Sequence, residues 1–133
     1  MIKVLIVDDS AFMRIALRKM IECADIQVIG EARNGAIGLQ MARELRPDVI
    51  TMDVEMPEMD GVKATQAIMA SAPCAIIMVS SLTERGAQTT IQALSAGAVD
   101  FIAKKSSFVQ LDLVQIADQL LEKTKKLAAS WNS

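Results

Sequence analysis

A doubly wound α/β domain is the fold class this sequence predicts, on three observations. Five short apolar, β-branched runs are spaced along the chain. Helix-period stretches separate them, so strand and helix patterns alternate from end to end. The runs are nearly continuous in their apolar character, as strands of a parallel sheet buried on both faces are. The expected strands are Lys3–Val7, Gln27–Glu31, Val49–Met52, Ala75–Val79 and Val99–Ile102. Right-handed crossovers then place helices on both faces of the sheet.

The first helix is predicted from Met13, Leu17, Met20 and Ile21, at i, i+4, i+7 and i+8, with Ser10 as its cap. Ile37, Met41, Ala42 and Leu45 form the stripe of the second, which has to stop before Pro47. The third runs over Val62–Ala70 after the turn Met59-Asp60-Gly61. Ala87, Ile91 and Leu94 mark the fourth, closed by Gly97. Leu113, Ile116, Ala117, Leu120 and Leu127 mark the last. Residues 1–127 read as one domain and 128–133, with Trp131, as a tail or the start of a linker.

Composition removes several classes of function. The chain of 133 residues is 52% hydrophobic, which argues against disorder, and its net charge of -2 gives no field suited to nucleic acid or an anionic membrane. Lys123, Lys125 and Lys126 read as the solvated end of a helix. With 0 histidines the chain holds neither a Ser-His-Asp triad nor a His-ligated zinc, and it is no phosphohistidine donor. The two cysteines, Cys23 and Cys74, lack Cys-x-x-Cys spacing and are expected to be free, buried thiols. No apolar run is long enough to span a bilayer, and Met1-Ile2-Lys3 leads straight into a strand without a signal-peptide layout, so a soluble, cytoplasmic protein is expected.

In doubly wound sheets the site lies beyond the carboxyl ends of the strands, and the chemistry-bearing residues of this chain gather there. The first strand ends in Asp8 and Asp9, the third in Asp53 and the fourth in Ser80 and Ser81, and Lys104 follows the fifth. Taken singly, the acids also read as turn residues or as charges at a helix N-terminus. Together they form a constellation with a use for each member. Three converging carboxylates repel one another and suit a hard divalent cation, Mg²⁺. A backbone carbonyl just after Asp53 adds a further oxygen, with Glu55 as the candidate. Asp53 beside bound Mg²⁺ is suited to accept a phosphoryl group, Ser80 to donate to a phosphoryl oxygen, and Lys104 to offset its charge.

The segments Val7-Asp8-Asp9-Ser10, Asp53-Val54-Glu55-Met56-Pro57-Glu58-Met59-Asp60-Gly61, Val79-Ser80-Ser81 and Asp100-Phe101-Ile102-Ala103-Lys104 resemble the receiver domains of bacterial two-component response regulators. Val7–Arg14, Ala32-Arg33-Asn34-Gly35 and Met78–Thr83 are similar to the receiver of the chemotaxis methylesterase CheB in particular. The resemblance implies a flavodoxin-like (βα)5 fold with strand order 2-1-3-4-5. It implies that Asp53 takes its phosphoryl group from a CheA-like histidine kinase and that Asp8 and Asp9 bind Mg²⁺. Ser80 and Phe101 would be switch residues, and Lys104 would pair with the phosphoryl group. The partner would be a methylesterase domain in cis, or another output protein, met through the face of the fourth helix, fifth strand and fifth helix. As supplied the chain would not be an enzyme beyond its own phosphorylation and dephosphorylation. A full-length CheB-like parent would be a protein-glutamate methylesterase.

One residue departs from the pattern. Receivers usually carry a cis-proline after this lysine, where Lys105 stands here. Without proline a cis bond costs about 3–4 kcal/mol, so either that strain is kept or the bond is trans. Two other readings compete. A hydrolase with an aspartyl-phosphate intermediate would use Asp-x-Asp, but Asp53 is followed at that spacing by Glu55. A degenerate receiver would act only as a protein-interaction module.

Overall fold

The computed structural model describes residues 1–54, 56, 58–81, 91–92, 94–98, 100–104, 118–119, 121–127 and 129. Strands β1 (Ile2–Val7), β2 (Ile26–Ala32), β3 (Val49–Asp53), β4 (Ala75–Ser81) and β5 (Asp100–Lys104) form one sheet in the order β2-β1-β3-β4-β5, with every pairing parallel. Helices α1 (Ala11–Ile21), α2 (Gly35–Leu45) and α3 (Gly61–Ser71) connect the first four strands. Helical residues recur at 91–92 and 94–96, and again at 118–119 and 121–127. This is the expected doubly wound architecture.

Alternation along the strands divides the core into two layers. Val4, Ile6, Val49, Ile77, Val79 and Ile102 face α1, packing with Met13, Leu17 and Ile21, and Leu121 and Leu127 of the last helical stretch join them. Leu5, Val7, Ile50, Met52, Ile76 and Met78 face the other way, onto Ala42, Ala64 and Ile68 of α2 and α3. Each fully buried Leu or Ile contributes about 1.5–3 kcal/mol relative to an exposed one, so the sheet is held from both sides. Each of the first three helices starts on a side-chain cap. Ser10 Oγ accepts from the Met13 amide at 3.2 Å, Asn34 Oδ1 from Ile37 at 2.8 Å and Asp60 Oδ1 from Lys63 at 2.9 Å. Helix α2 ends at Leu45 through Arg46 in the left-handed region (φ 50°), just short of Pro47.

Several expectations are corrected. β3 ends in Asp53 and β4 in Ser80 and Ser81, as expected, but Lys104, expected to follow the fifth strand, is the last residue of β5, and Asp8 and Asp9, expected to end the first, lie beyond Val7. Cys23 is exposed, while Cys74 is buried. Cys23 follows the end of α1 and spends its backbone on a two-way bridge with Ile26, which leaves its side chain at the surface. Burial in the apolar layer pushes the Cys74 thiol up to about 12, with the Asp48 carboxylate adding to the effect. Ile91 and Leu94, which mark the fourth helical stretch, are 67% and 48% exposed. Their spacing marks a stripe but does not say what covers it. Ala87, Leu113, Ile116, Ala117, Leu120, Trp131 and the Lys104–Lys105 bond lie outside the described residues. Among the described residues no helix is long and apolar enough to cross a membrane.

Candidate functional site

Register brings the site together. Val7 pairs with Met52, so Asp8, one residue on, stands level with Asp53 on the neighbouring strand. Asp53 pairs with Val79, and Ser80 follows it. Ser81 pairs with Lys104 at the same edge of the sheet. The backbone thus places Ser80 and Lys104 on the two strands beyond Asp53, and Phe101 on β5 opposite Met78. Glu55 lies outside the described residues.

The three acids meet. Carboxylate oxygens of Asp8, Asp9 and Asp53 all lie within 4.8 Å of one another. Asp8 and Asp53 are buried, at 2% and 6% exposure, and Asp9 is exposed. Two buried carboxylates and a third beside them are costly without a compensating positive charge. Oxygens around an octahedral Mg²⁺ stand at most about 4.2 Å apart. The spacing therefore fits a hard cation after a small closure, or with one acid acting through water. An all-oxygen donor set favours Mg²⁺ over softer metals.

The loops supporting the acids are tied to one another. The Asp8 amide donates to Ala32 O at 3.0 Å, prolonging the β1–β2 ladder past the strand end. The Ser10 amide donates to Asp8 Oδ1 at 2.9 Å. After β3 the chain reverses, and the Gly61 amide donates to Val54 O at 2.8 Å. A Cβ at Gly61 would fall 2.0 Å from the Asp53 carbonyl oxygen, so only glycine allows α3 to start this close to the acid. Gly35 serves the same purpose in the neighbouring loop. Its amide donates to Met59 O at 3.1 Å, and an added Cβ would sit 2.2 Å from that oxygen. Asn34 Nδ2 donates to Glu58 Oε2 at 3.4 Å, and Glu58 holds φ 68°.

A family model described as the response regulator receiver domain matches residues 4–117. This chain belongs to the response regulator receiver family. Within it, the receiver is 52% identical over 130 residues to a protein-glutamate methylesterase/protein-glutamine glutaminase of Carboxydothermus hydrogenoformans, covering 97% of this chain and 37% of that protein. A namesake from Bacillus licheniformis is 52% identical over 124 residues, covering 92% of this chain and 35% of that one. The receiver thus spans little more than a third of these relatives. Among solved structures, the response regulator domain of Thermotoga maritima CheB superposes with a TM-score of 0.88 at 50% identity, covering 96% of each chain. A chain of the CheX-CheY-BeF3-Mg²⁺ complex from Borrelia burgdorferi gives 0.73 at 28% identity, over 90% of this chain and 88% of that one.

Residue patterns along the chain point to the acids but not to what holds them. Arg14, Asn34, Gly35 and Gly61 lie within the segments that carry the resemblance, yet their spacing assigns them no role at the site. A glycine directly after Asn34 and another directly after Asp60 are the available signals: each follows a helix-capping residue.

Proposed function

We propose that this receiver accepts a phosphoryl group on Asp53 from a CheA-like histidine kinase and passes the change on as a protein switch. The convergence of the Asp8, Asp9 and Asp53 carboxylates within 4.8 Å carries the reading. These acids and the Glu55 backbone carbonyl would hold Mg²⁺, which would supply positive charge to offset that of an anionic phosphoryl group near a carboxylate. An Asp53 oxygen attacks phosphorus in line, the new O–P bond forms as the donor's N–P bond breaks, and the donor imidazole leaves with the electron pair. Burial of Asp53 limits the water that would compete with its oxygen for the phosphorus. Ser80 donates a hydrogen bond to a phosphoryl oxygen and Lys104 offsets the remaining charge. Phe101 follows Ser80 inward, which shifts the population of the β5 face.

The output partner is a methylesterase domain in cis, as the names of the relatives suggest, with the fourth helical stretch, β5 and the last helical stretch as the contact face. Exposed Ile91 and Leu94 give that face apolar area. The complete protein would then be a cytoplasmic protein-glutamate methylesterase, with this chain as its regulatory domain. An intact acid cluster disfavours a degenerate receiver.

Intact-protein mass spectrometry after incubation with acetyl phosphate and Mg²⁺ tests the acceptor. One added phosphoryl group is expected in the wild type and none in Asp53→Asn or without Mg²⁺. Equal labelling of wild type and Asp53→Asn would sink the assignment.

A further inference from the structure

We propose that Arg14 is a positioning residue for the acid cluster, acting through the backbone of Asp8; this rests on the cation-binding reading above. Arg14 lies in α1, with its side chain 19% exposed. Its Nη1 donates to the Asp8 carbonyl oxygen at 2.8 Å. Its Nε stands 3.7 Å from Glu31 Oε1 on β2, while Glu31 Oε2 accepts from Arg18 Nε at 2.6 Å. Glu31 therefore sits between two guanidinium groups and orients Arg14 from below.

Asp8 is consequently held at three points. Its amide is fixed by Ala32 O, its carboxylate by the Ser10 amide and its carbonyl by Arg14. The carbonyl belongs to the peptide that joins Asp8 to Asp9. Fixing that peptide sets the direction in which the Asp9 side chain leaves the backbone. Asp9 is the exposed member of the cluster, with least packing of its own. Arg14 thus sets where the third carboxylate stands.

Charge and positioning predict opposite signs. As a mere positive charge near three carboxylates, Arg14 would weaken cation binding, and its loss would tighten it. As a positioning residue, its loss weakens binding. Groups that support metal ligands from behind are typically worth 10–100-fold in metal affinity.

The test is Mg²⁺ titration by calorimetry on wild type, Arg14→Met and Arg14→Lys, with urea midpoints recorded alongside. Arg14→Met is expected to bind Mg²⁺ about tenfold more weakly. Arg14→Lys keeps the charge and one donor and should recover most of that loss. Unchanged or tighter binding by Arg14→Met overturns the proposal, whatever its urea midpoint. Should Arg14→Met fail to fold, Glu31→Gln decides: it leaves the Asp8 contact but loosens the guanidinium, and weaker binding than wild type is expected, by less than the roughly tenfold of losing the contact itself. Unchanged binding by Glu31→Gln would then overturn the proposal. A wild type that binds no Mg²⁺ removes the cation-binding reading and this inference together; a wild type that binds, beside an unaffected Arg14→Met, removes this inference alone.

Discussion

Gly61 shows how little room there is around the acceptor carboxylate. A methyl group there would meet the Asp53 carbonyl oxygen at 2.0 Å and the Val54 Cα at 2.9 Å, both backbone atoms that have no rotamer to escape into. Gly61→Ala should therefore lower unfolding free energy by about 3 kcal/mol, the upper end of the overpacking range. Chemical denaturation measures that loss, and acetyl phosphate labelling of the variant should slow with it, because the displaced backbone carries Asp53. The cysteines make a second residue-scale contrast. Exposed Cys23 should react with a thiol reagent in the native protein and buried Cys74 only on unfolding, so one thiol titrates before denaturant and two after. The Cys74 thiol ionises near 9 when unfolded and only at about 12 when folded. Its contribution to stability is therefore complete below pH 9 and falls away between 9 and 12, since the unfolded state gives up its proton first.

At the scale of single elements, caps and patterns agree. Ser10, Asn34 and Asp60 each satisfy an amide of the helix they open, and all three are residue types whose short oxygens reach that far. The ends of helices are less well served. Arg46 takes the left-handed conformation that closes α2, at a cost glycine would avoid. Arg46→Gly is expected to raise stability by about 0.5–1 kcal/mol, read as a higher urea midpoint with unchanged slope. A lower midpoint would mean that the arginine side chain makes up for its backbone. Strand ends, by contrast, were legible only in part. Apolar patterning ends where side chains become polar, but hydrogen bonding does not. Asp53, Ser80, Ser81 and Lys104 remain in the ladder because neighbouring strands still offer partners, and pattern alone carries no information about a neighbour's reach.

At the scale of the molecule, the sheet gathers residues that are far apart in sequence. Asp8 and Asp53 are separated by α1, β2 and α2 and the rest of β3, and they meet because β1 and β3 are adjacent. If the folded cluster binds Mg²⁺ and the unfolded chain does not, the cation must stabilise the fold by mass action. At ten times its dissociation constant, Mg²⁺ should add about 1.4 kcal/mol, or roughly 3–5 °C in melting temperature for a chain of this size. Asp9→Asn should lose most of that shift, and a melting curve insensitive to Mg²⁺ in the wild type would count against the cation site.

The sequence by itself determined the fold class, the order of strands and helices along the chain, the Ser10 cap and the identity of the acids. Those features rest on local periodicity and on residue chemistry, both of which are written along the chain. Only the tertiary structure decided that Asp8, Asp9 and Asp53 converge to 4.8 Å, that Arg14 grips the Asp8 carbonyl from α1, that Gly35 and Gly61 permit the close loops, and that Ile91 and Leu94 face outward. Each of these depends on which elements become neighbours and how closely their backbones approach. That is settled by packing two helical layers against one twisted sheet, an energy summed over the whole core rather than carried by any one segment.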